Sequence, residues 1–236
     1  TAPCTPGDIE CNKVIRGVES ANFLRSPEFQ RKGNYVMFLY MVSIGQRPVT
    51  PAELSTKNDP ALNDRPHYVE FMTDLQSIST PNDDPQLTES KKAALADAWM
   101  LRVEIQNKYG GLSNTAFVQA LLDTAGVTIP NQQALVDDLN AGRRTRAQVL
   151  RAIAESPEVS ARFYRPAFGT MGYFGYLHRD PEDCHNPNNW TGGDVNQCGY
   201  IFHNNRFALP FDPAEIENIM VRGFIESPEY RQRFGP

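Results

Sequence analysis

The chain has 236 residues, enough for one large domain or two small ones, and its 40% hydrophobic and 22% charged residues are an ordinary globular balance. A net charge of −5 with no offsetting Lys/Arg cluster argues against a nucleic-acid partner. No apolar run approaches the roughly 18 residues of a membrane span.

The opening "TAPC" has no initiator Met and no basic-apolar leader, which fits a processed or trimmed chain, such as one freed of a signal peptide. "CTPGDIEC" sets Cys4 and Cys11 at the ends of a Pro-Gly turn, and "CHNPNNWTGGDVNQC" sets Cys184 and Cys198 around a long polar loop. Of the three connectivities that four cysteines allow, the local one closes two short loops at the least entropy cost. Two such staples predict an oxidising compartment, so a secreted or cell-surface protein.

Helical periodicity dominates, strand-like alternation is absent, and the predicted class is all-α. "NKVIRGVESANFL" (12–24) carries Val14, Ile15, Val18, Ala21 and Leu24 on one stripe. "GNYVMFLYMVSIG" (33–45) is apolar nearly all round, as a buried central helix is. The stretch 45–66, rich in Pro, Asp and Asn, reads as loop, then a short helix over 67–76, then a second loop over 77–90. Helix formers run over 89–110 to the stop Gly110-Gly111, and further helices are predicted over 113–126, 131–142 and 145–156. The densest basic stretch, "GRRTRAQVLR" (142–151), reads as a helix start with a solvated face, against a phosphate site as the alternative. Residues 180–211 form a third loop region, and a last helix spans 212–227, with Asp212 as cap and Pro213 at its first position.

One string is written three times: "FLRSPEF" at 23–29, "IAESPEV" at 153–159 and "FIESPEY" at 224–230. Ser26, Ser156 and Ser227 are good N-caps. Pro27, Pro157 and Pro228 suit the first helical position, and Glu28, Glu158 and Glu229 meet the helix dipole. The residue before Pro resists α geometry, so the preceding helix ends there. The string predicts a helix-break-helix joint from which a short helix restarts at an angle, seated by Phe29, Val159 or Tyr230. A repeated binding element is the alternative. A degenerate copy is expected in "LRVEIQNKYG" (101–110), with Glu104 in register and Val103 in place of Pro. The joints divide the chain into irregular helical repeats: the second half of a unit over 1–33, a divergent unit with Pro-rich loops over 34–110, a clean unit over 111–160, and a terminal unit with a stapled loop over 161–236.

"LVDDLNAGRRTRAQVLRAIAESPEV" (135–159) fits the pattern N-x-G-x-x-T/S-R-A-x-V-L followed by S-P-E. With "MGYFGYLHRDPED" (171–183) and "VRGFIESPEYRQRFGP" (221–236), it resembles a family of secreted bacterial helical-repeat domains of unknown function, number four-two-one-four, in an acidobacteria-like C-terminal version. The chain departs from that family in "GYIFH" (199–203), where His203 stands in place of Trp. The resemblance implies helical modules on large surface or extracellular proteins and no particular chemistry. "GFIESPEYRQRF" with its preceding helix is also similar to the helical linker polypeptides of cyanobacterial antennae, which hold assemblies together.

No hydrolase, P-loop, dinucleotide or zinc-protease motif occurs, so no catalytic residue and no cofactor are expected. Two metal alternatives stand beside that reading: zinc on Cys184, His185, Cys198 and His203, and calcium on Asp180, Glu182, Asp183 and Asp194, both without regular ligand spacing. Tyr173, Phe174 and Tyr176, beside glycines spaced by three, read as core, with a sugar platform as the alternative. Trp190 and Tyr200 are the candidate ligand-contacting aromatics, and Asn189 in "NWT" matches a glycosylation sequon. The expected function is a non-enzymatic extracellular structural or assembly protein, a surface-layer, matrix or filament subunit. The half-unit at 1–33 is expected to leave an apolar helix face for a neighbouring subunit or domain. A carbohydrate- or surface-polymer-binding module is the alternative.

Overall fold

A computed structural model describes residues 4, 8–48, 50–56, 65–182, 198–207 and 212–234. The described residues are helices and their connections, with no strand among them, so the chain is all-α. It divides into two compact units that differ from the four read along the sequence. A middle unit comprises 31–48 and 56–164. A terminal unit comprises 1–30, 49–55 and 165–236, and so contains both ends of the chain.

The middle unit is built around α3 (Tyr35–Ser43), whose nine residues are all buried, as its all-round apolar sequence predicts. Around it stand α5 (Tyr68–Ser77), α6 (Pro85–Met100), α7 (Val103–Tyr109), α8 (Asn114–Ala125), α9 (Gln132–Asn140) and α10 (Arg146–Ala154). α3 packs on α5, α8 and α10, and α10 also packs on α6. Buried aromatics bring polar tips that must be satisfied. Trp99 Nε1 donates to Ser43 Oγ (2.9 Å), the Tyr109 hydroxyl to the Ser43 carbonyl (2.6 Å), and the Tyr35 hydroxyl to the Lys92 carbonyl (2.8 Å). Caps fix the helix ends. Ser113 Oγ accepts from Ala116 N–H at 3.2 Å, and Thr145 and Gln148 form a reciprocal capping box. Gly126 closes α8 at φ 62°, the left-handed region that favours glycine.

The terminal unit pairs α1 (Ile9–Leu24), near the start of the chain, with α13 (Pro213–Ile225), near its end. Leu24 and Ala21 are buried, as are Ile216, Met220, Val221 and Phe224 on α13. Val14, expected on the buried stripe, is exposed instead. Gly17 leaves room for the Arg222 side chain of α13: a Cβ there would lie 2.2 Å from Arg222 Cγ. Arg25 donates to the buried Glu217 carboxylate at 2.5 Å. The side of the first helix that carries Ala21 and Leu24 is therefore covered by α13 of its own chain, while Val14 and Phe23 stay exposed, at 46% and 60%. The unit also holds α2 (Pro27–Phe29), α12 (Gly199–Arg206) and α14 (Pro228–Phe234), and α4 (Pro51–Thr56) follows Thr50. α11 (Pro157–Gly172) carries Pro166 inside it, just after the division at Arg165.

Helices α4 and α12 lie in stretches expected to be loops, and α6 begins at Asp84-Pro85, inside the loop expected over 77–90. The helix expected over 89–110 is two helices, broken at Leu101-Arg102.

The Ser-Pro-Glu strings are helix-break-helix joints of one geometry. Arg25, Glu155 and Glu226 end their helices at φ −86°, −89° and −92° with ψ within 7° of zero. Each following serine caps the next helix, Ser26 Oγ accepting from Phe29 N–H (3.2 Å), Ser156 Oγ from Val159 N–H (3.3 Å) and Ser227 Oγ from Tyr230 N–H (3.1 Å). The degenerate copy is a fourth joint. Leu101 has φ −91° and ψ −6°, and Arg102 repeats the extended geometry of Ser26, with ψ 141° in both. Arg102 N–H donates to the Trp99 carbonyl at 3.1 Å, as the joint serines do three residues back. No side chain caps α7. The restarted helices are not uniformly short, since α11 has 16 residues. Of the three seating residues only Val159 is fully buried. The side chain of Glu28 lies outside the described residues.

Candidate functional site

In the middle unit the fourth joint borders a cleft of about 350 Å³, between the Tyr40 side of α3, Arg65 and the Val69–Asp74 face of α5. A side chain that cannot cap, Arg102, has been put to another use here. It donates to Asp74 Oδ1 at 2.5 Å and to the Tyr40 hydroxyl at 3.2 Å, and its guanidinium lies 3.8 Å from the centroid of the Trp99 ring. The Tyr40 hydroxyl donates to Asp74 Oδ2 at 2.7 Å. Arg65 is shared by two carboxylates, Glu70 at 2.7 Å and Glu104 at 3.0 Å.

The electrostatics follow. Burial, and then the Asp74 carboxylate, push the Tyr40 hydroxyl well above its ordinary range. Burial works to raise the Glu70 carboxyl, but the His67 N–H and the Arg65 guanidinium outweigh it and hold the group below its usual range. Burial disfavours the Arg65 and Arg102 cations, and their acidic and hydroxyl partners more than restore them. The cleft thus holds a tyrosine that keeps its proton and, in Glu70, a carboxylate that keeps its charge.

A second and larger cleft, about 560 Å³, lies between α6 and α10, floored by Ala93, Ala96, Ala147 and Ala152. Its walls include three of the four arginines of the basic stretch, and each of the three has a carboxylate partner. Arg143 and Arg144 pair with Asp138 at 2.7 and 3.0 Å, and Arg151 pairs with Glu155 at 2.7 Å and with Glu89. Converging free cations, which a phosphate site requires, are not what this arrangement offers.

In the terminal unit the sequence-predicted residues meet a third network. Arg179 donates to Glu182 at 2.8 Å and to both oxygens of Glu229, the glutamate of the last joint, at 2.8 and 2.9 Å. Its guanidinium lies 5.2 Å from the buried Tyr173 ring, whose hydroxyl is pushed up by burial and then by Glu182. Glu182, a calcium candidate, is therefore engaged with Arg179. Among the described residues no group of three or more His, Cys, Asp or Glu is placed to hold a metal. Tyr200 is 2% exposed and its hydroxyl shares a hydrogen bond with Thr170 Oγ1 at 3.1 Å, so it is a core residue, which corrects its reading as a ligand contact. Tyr173 and Phe174 are likewise core. His203 packs on Phe224 at 5.3 Å between ring centroids, and burial, then the Arg206 cation, push its imidazole down to about 4. Cys4 and Cys11 form the expected disulfide, with Cα atoms 5.7 Å apart. Cys198 is disulfide-bonded and so offers no thiolate to zinc. Asp183, Cys184, His185, Asn189, Trp190 and Asp194 lie outside the described residues.

Sequence reasoning missed Arg65, Arg102 and Arg179, which organise two of these networks. The signal available for two of them was positional. Glu104 and Glu229 hold the same place after their joints, and each takes an arginine from elsewhere in its unit. Comparison of the chain with family models, curated proteins and solved structures finds no match.

Proposed function

We propose that this chain is a non-enzymatic structural protein of the cell exterior, whose helical units associate with further copies of the chain. One observation carries the reading. Every cation lining the two clefts is paired with a carboxylate of its own unit, while large apolar side chains stand in solvent at Leu101 (79% exposed), Val103 (73%) and Val69 (70%). Ion-paired clefts suit a scaffold, and exposed apolar groups suit a surface that another molecule covers. The Cys4–Cys11 staple agrees with an oxidising, extracellular setting. No described helix is long and apolar enough to cross a membrane. The resemblance to secreted helical-repeat domains points the same way. The glycan-binding alternative loses one of its two aromatics with the burial of Tyr200.

Light scattering and negative-stain microscopy of the purified chain test the proposal. The expected result is a mass that rises above the 26.5 kDa monomer with concentration, accompanied by regular particles or filaments. A monomer at every concentration would overturn it.

A further inference from the structure

The fourth joint departs from the other three in what it shows to solvent. The residue that ends the helix is charged at the first three, Arg25, Glu155 and Glu226, and is Leu101 here. The next helix opens on Pro27, Pro157 and Pro228 at those joints and on Val103 here. Both replacements are apolar, and both side chains stand almost free in water. Backbone geometry does not require this, because charged residues and Pro serve the same turn elsewhere in the chain. Val69 lines the cleft of about 350 Å³, at the small end of the ligand-pocket range of roughly 300–1,000 Å³, and Leu101 and Val103 are the chain neighbours of its lining residues Arg102 and Glu104.

The cleft's charge indicates what should cover it. It holds three carboxylates, Glu70, Asp74 and Glu104, against two guanidiniums, Arg65 and Arg102. Glu104 and its counterpart Glu229 are paired differently. Glu229 is met by two arginines, Arg179 at 2.8 Å and Arg233, four residues on, at 3.3 Å. Glu104 is met by Arg65 alone among the described residues, because the residue four on, Lys108, donates to the Ser43 and Ile44 carbonyls. The cleft therefore suits one additional cation flanked by an apolar group.

The chain carries such a pair itself. On α14, Arg231 and Phe234 are three residues apart and so share a face. Both are exposed, Phe234 to 49%. Aromatic and arginine side chains are also the usual anchors of protein interfaces.

We propose that α14 of a second copy docks at the fourth joint, Arg231 meeting Glu104 and Glu70 while Phe234 covers Leu101, Val103 and Val69. This rests on the self-association reading and assigns its surfaces. The contact joins unlike faces, so it propagates head to tail.

The test uses two variants of the full chain, both at exposed positions where folding is little affected. Leu101→Asp with Val103→Asp spoils the receiving face and leaves α14 intact. Arg231→Glu with Phe234→Asp does the reverse. Sedimentation velocity should show wild type assembling, each variant alone as a monomer with unchanged helical circular dichroism, and an equimolar mixture forming heterodimers and nothing larger. A wild type that stays monomeric would overturn both the association reading and this assignment. A wild type that assembles while either variant assembles equally well, or a mixture that stays monomeric, would overturn the assignment alone.

Discussion

Ser156 and Arg102 stand at equivalent places in two joints of the middle unit and stabilise them by different means. Ser156 contributes a capping bond, and Ser156→Ala should cost about 1 kcal/mol. Arg102 caps nothing but neutralises Asp74, whose carboxylate is nearly buried. Arg102→Ala strands that charge and should cost about 3 kcal/mol. Arg102→Ser, which supplies a cap but no guanidinium, should remain well below wild type. Urea unfolding monitored by circular dichroism gives the order, and a larger loss at Ser156 would contradict it. His203 makes the terminal unit sensitive to acid. Its imidazole titrates near 4 in the fold against an ordinary value of 6.5. As the pH falls, the unfolded chain binds the proton first. Stability is therefore full above about pH 6.5 and declines as the pH drops toward 4. Facing charges act in opposite senses, Arg206 lowering the imidazole and Glu182 raising it. Thermal melts at about pH 7.5 and pH 5 should show a larger drop for wild type than for His203→Phe, and equal drops would remove His203 as the cause.

At the level of elements, capping chemistry was the most legible part of the chain. Ser113, Thr145 and Asp212 each accept the N–H bond that their residue types predict. The joint was readable because serine, proline and the pre-proline restriction act within three residues. Asp84-Pro85 carries the same start signal as Asp212-Pro213, with Asp84 Oδ1 accepting from Gln86 and Leu87 N–H, but Pro, Asn and Asp around it give a loop-like composition. α12 was hidden for a similar reason, its eight residues standing in a polar, glycine-containing stretch. What the sequence could not show is which arginine meets which carboxylate. Arg102 and Asp74 are 28 residues apart, and Arg179 and Glu229 are 50 apart, so tertiary packing makes those pairs. The disulfide at the start of α1 closes a loop with a separation of 7 residues, and a constraint of that length is worth about 2.5 kcal/mol. Cys4→Ser with Cys11→Ser should loosen the first turns of α1, seen as faster hydrogen exchange over 11–16. Unchanged protection there would mean that packing alone holds the helix.

For the whole molecule, the class was readable from periodicity, whereas the pairing of α1 with α13 was not. The repeat spacing suggests units in sequence order, but hydrophobic burial is indifferent to sequence distance, and α1 finds its apolar partner on α13. Deleting residues 1–26 should therefore expose Ile216, Met220, Val221 and Phe224 and unfold the terminal unit, while the middle unit keeps its own transition in a calorimetric scan. Loss of both transitions together would mean that the units are not separately stable.

The same pairing sets a timetable for biosynthesis. Arg25 and Glu217 are 192 positions apart, so at roughly 5–20 residues per second α1 leaves the ribosome about 10–40 s before its partner exists. The middle unit, whose segments are complete by Tyr164, can fold during that delay. The terminal unit cannot, and for that time the buried face of α1, ending in Ala21 and Leu24, is open to chaperones and to neighbouring nascent chains.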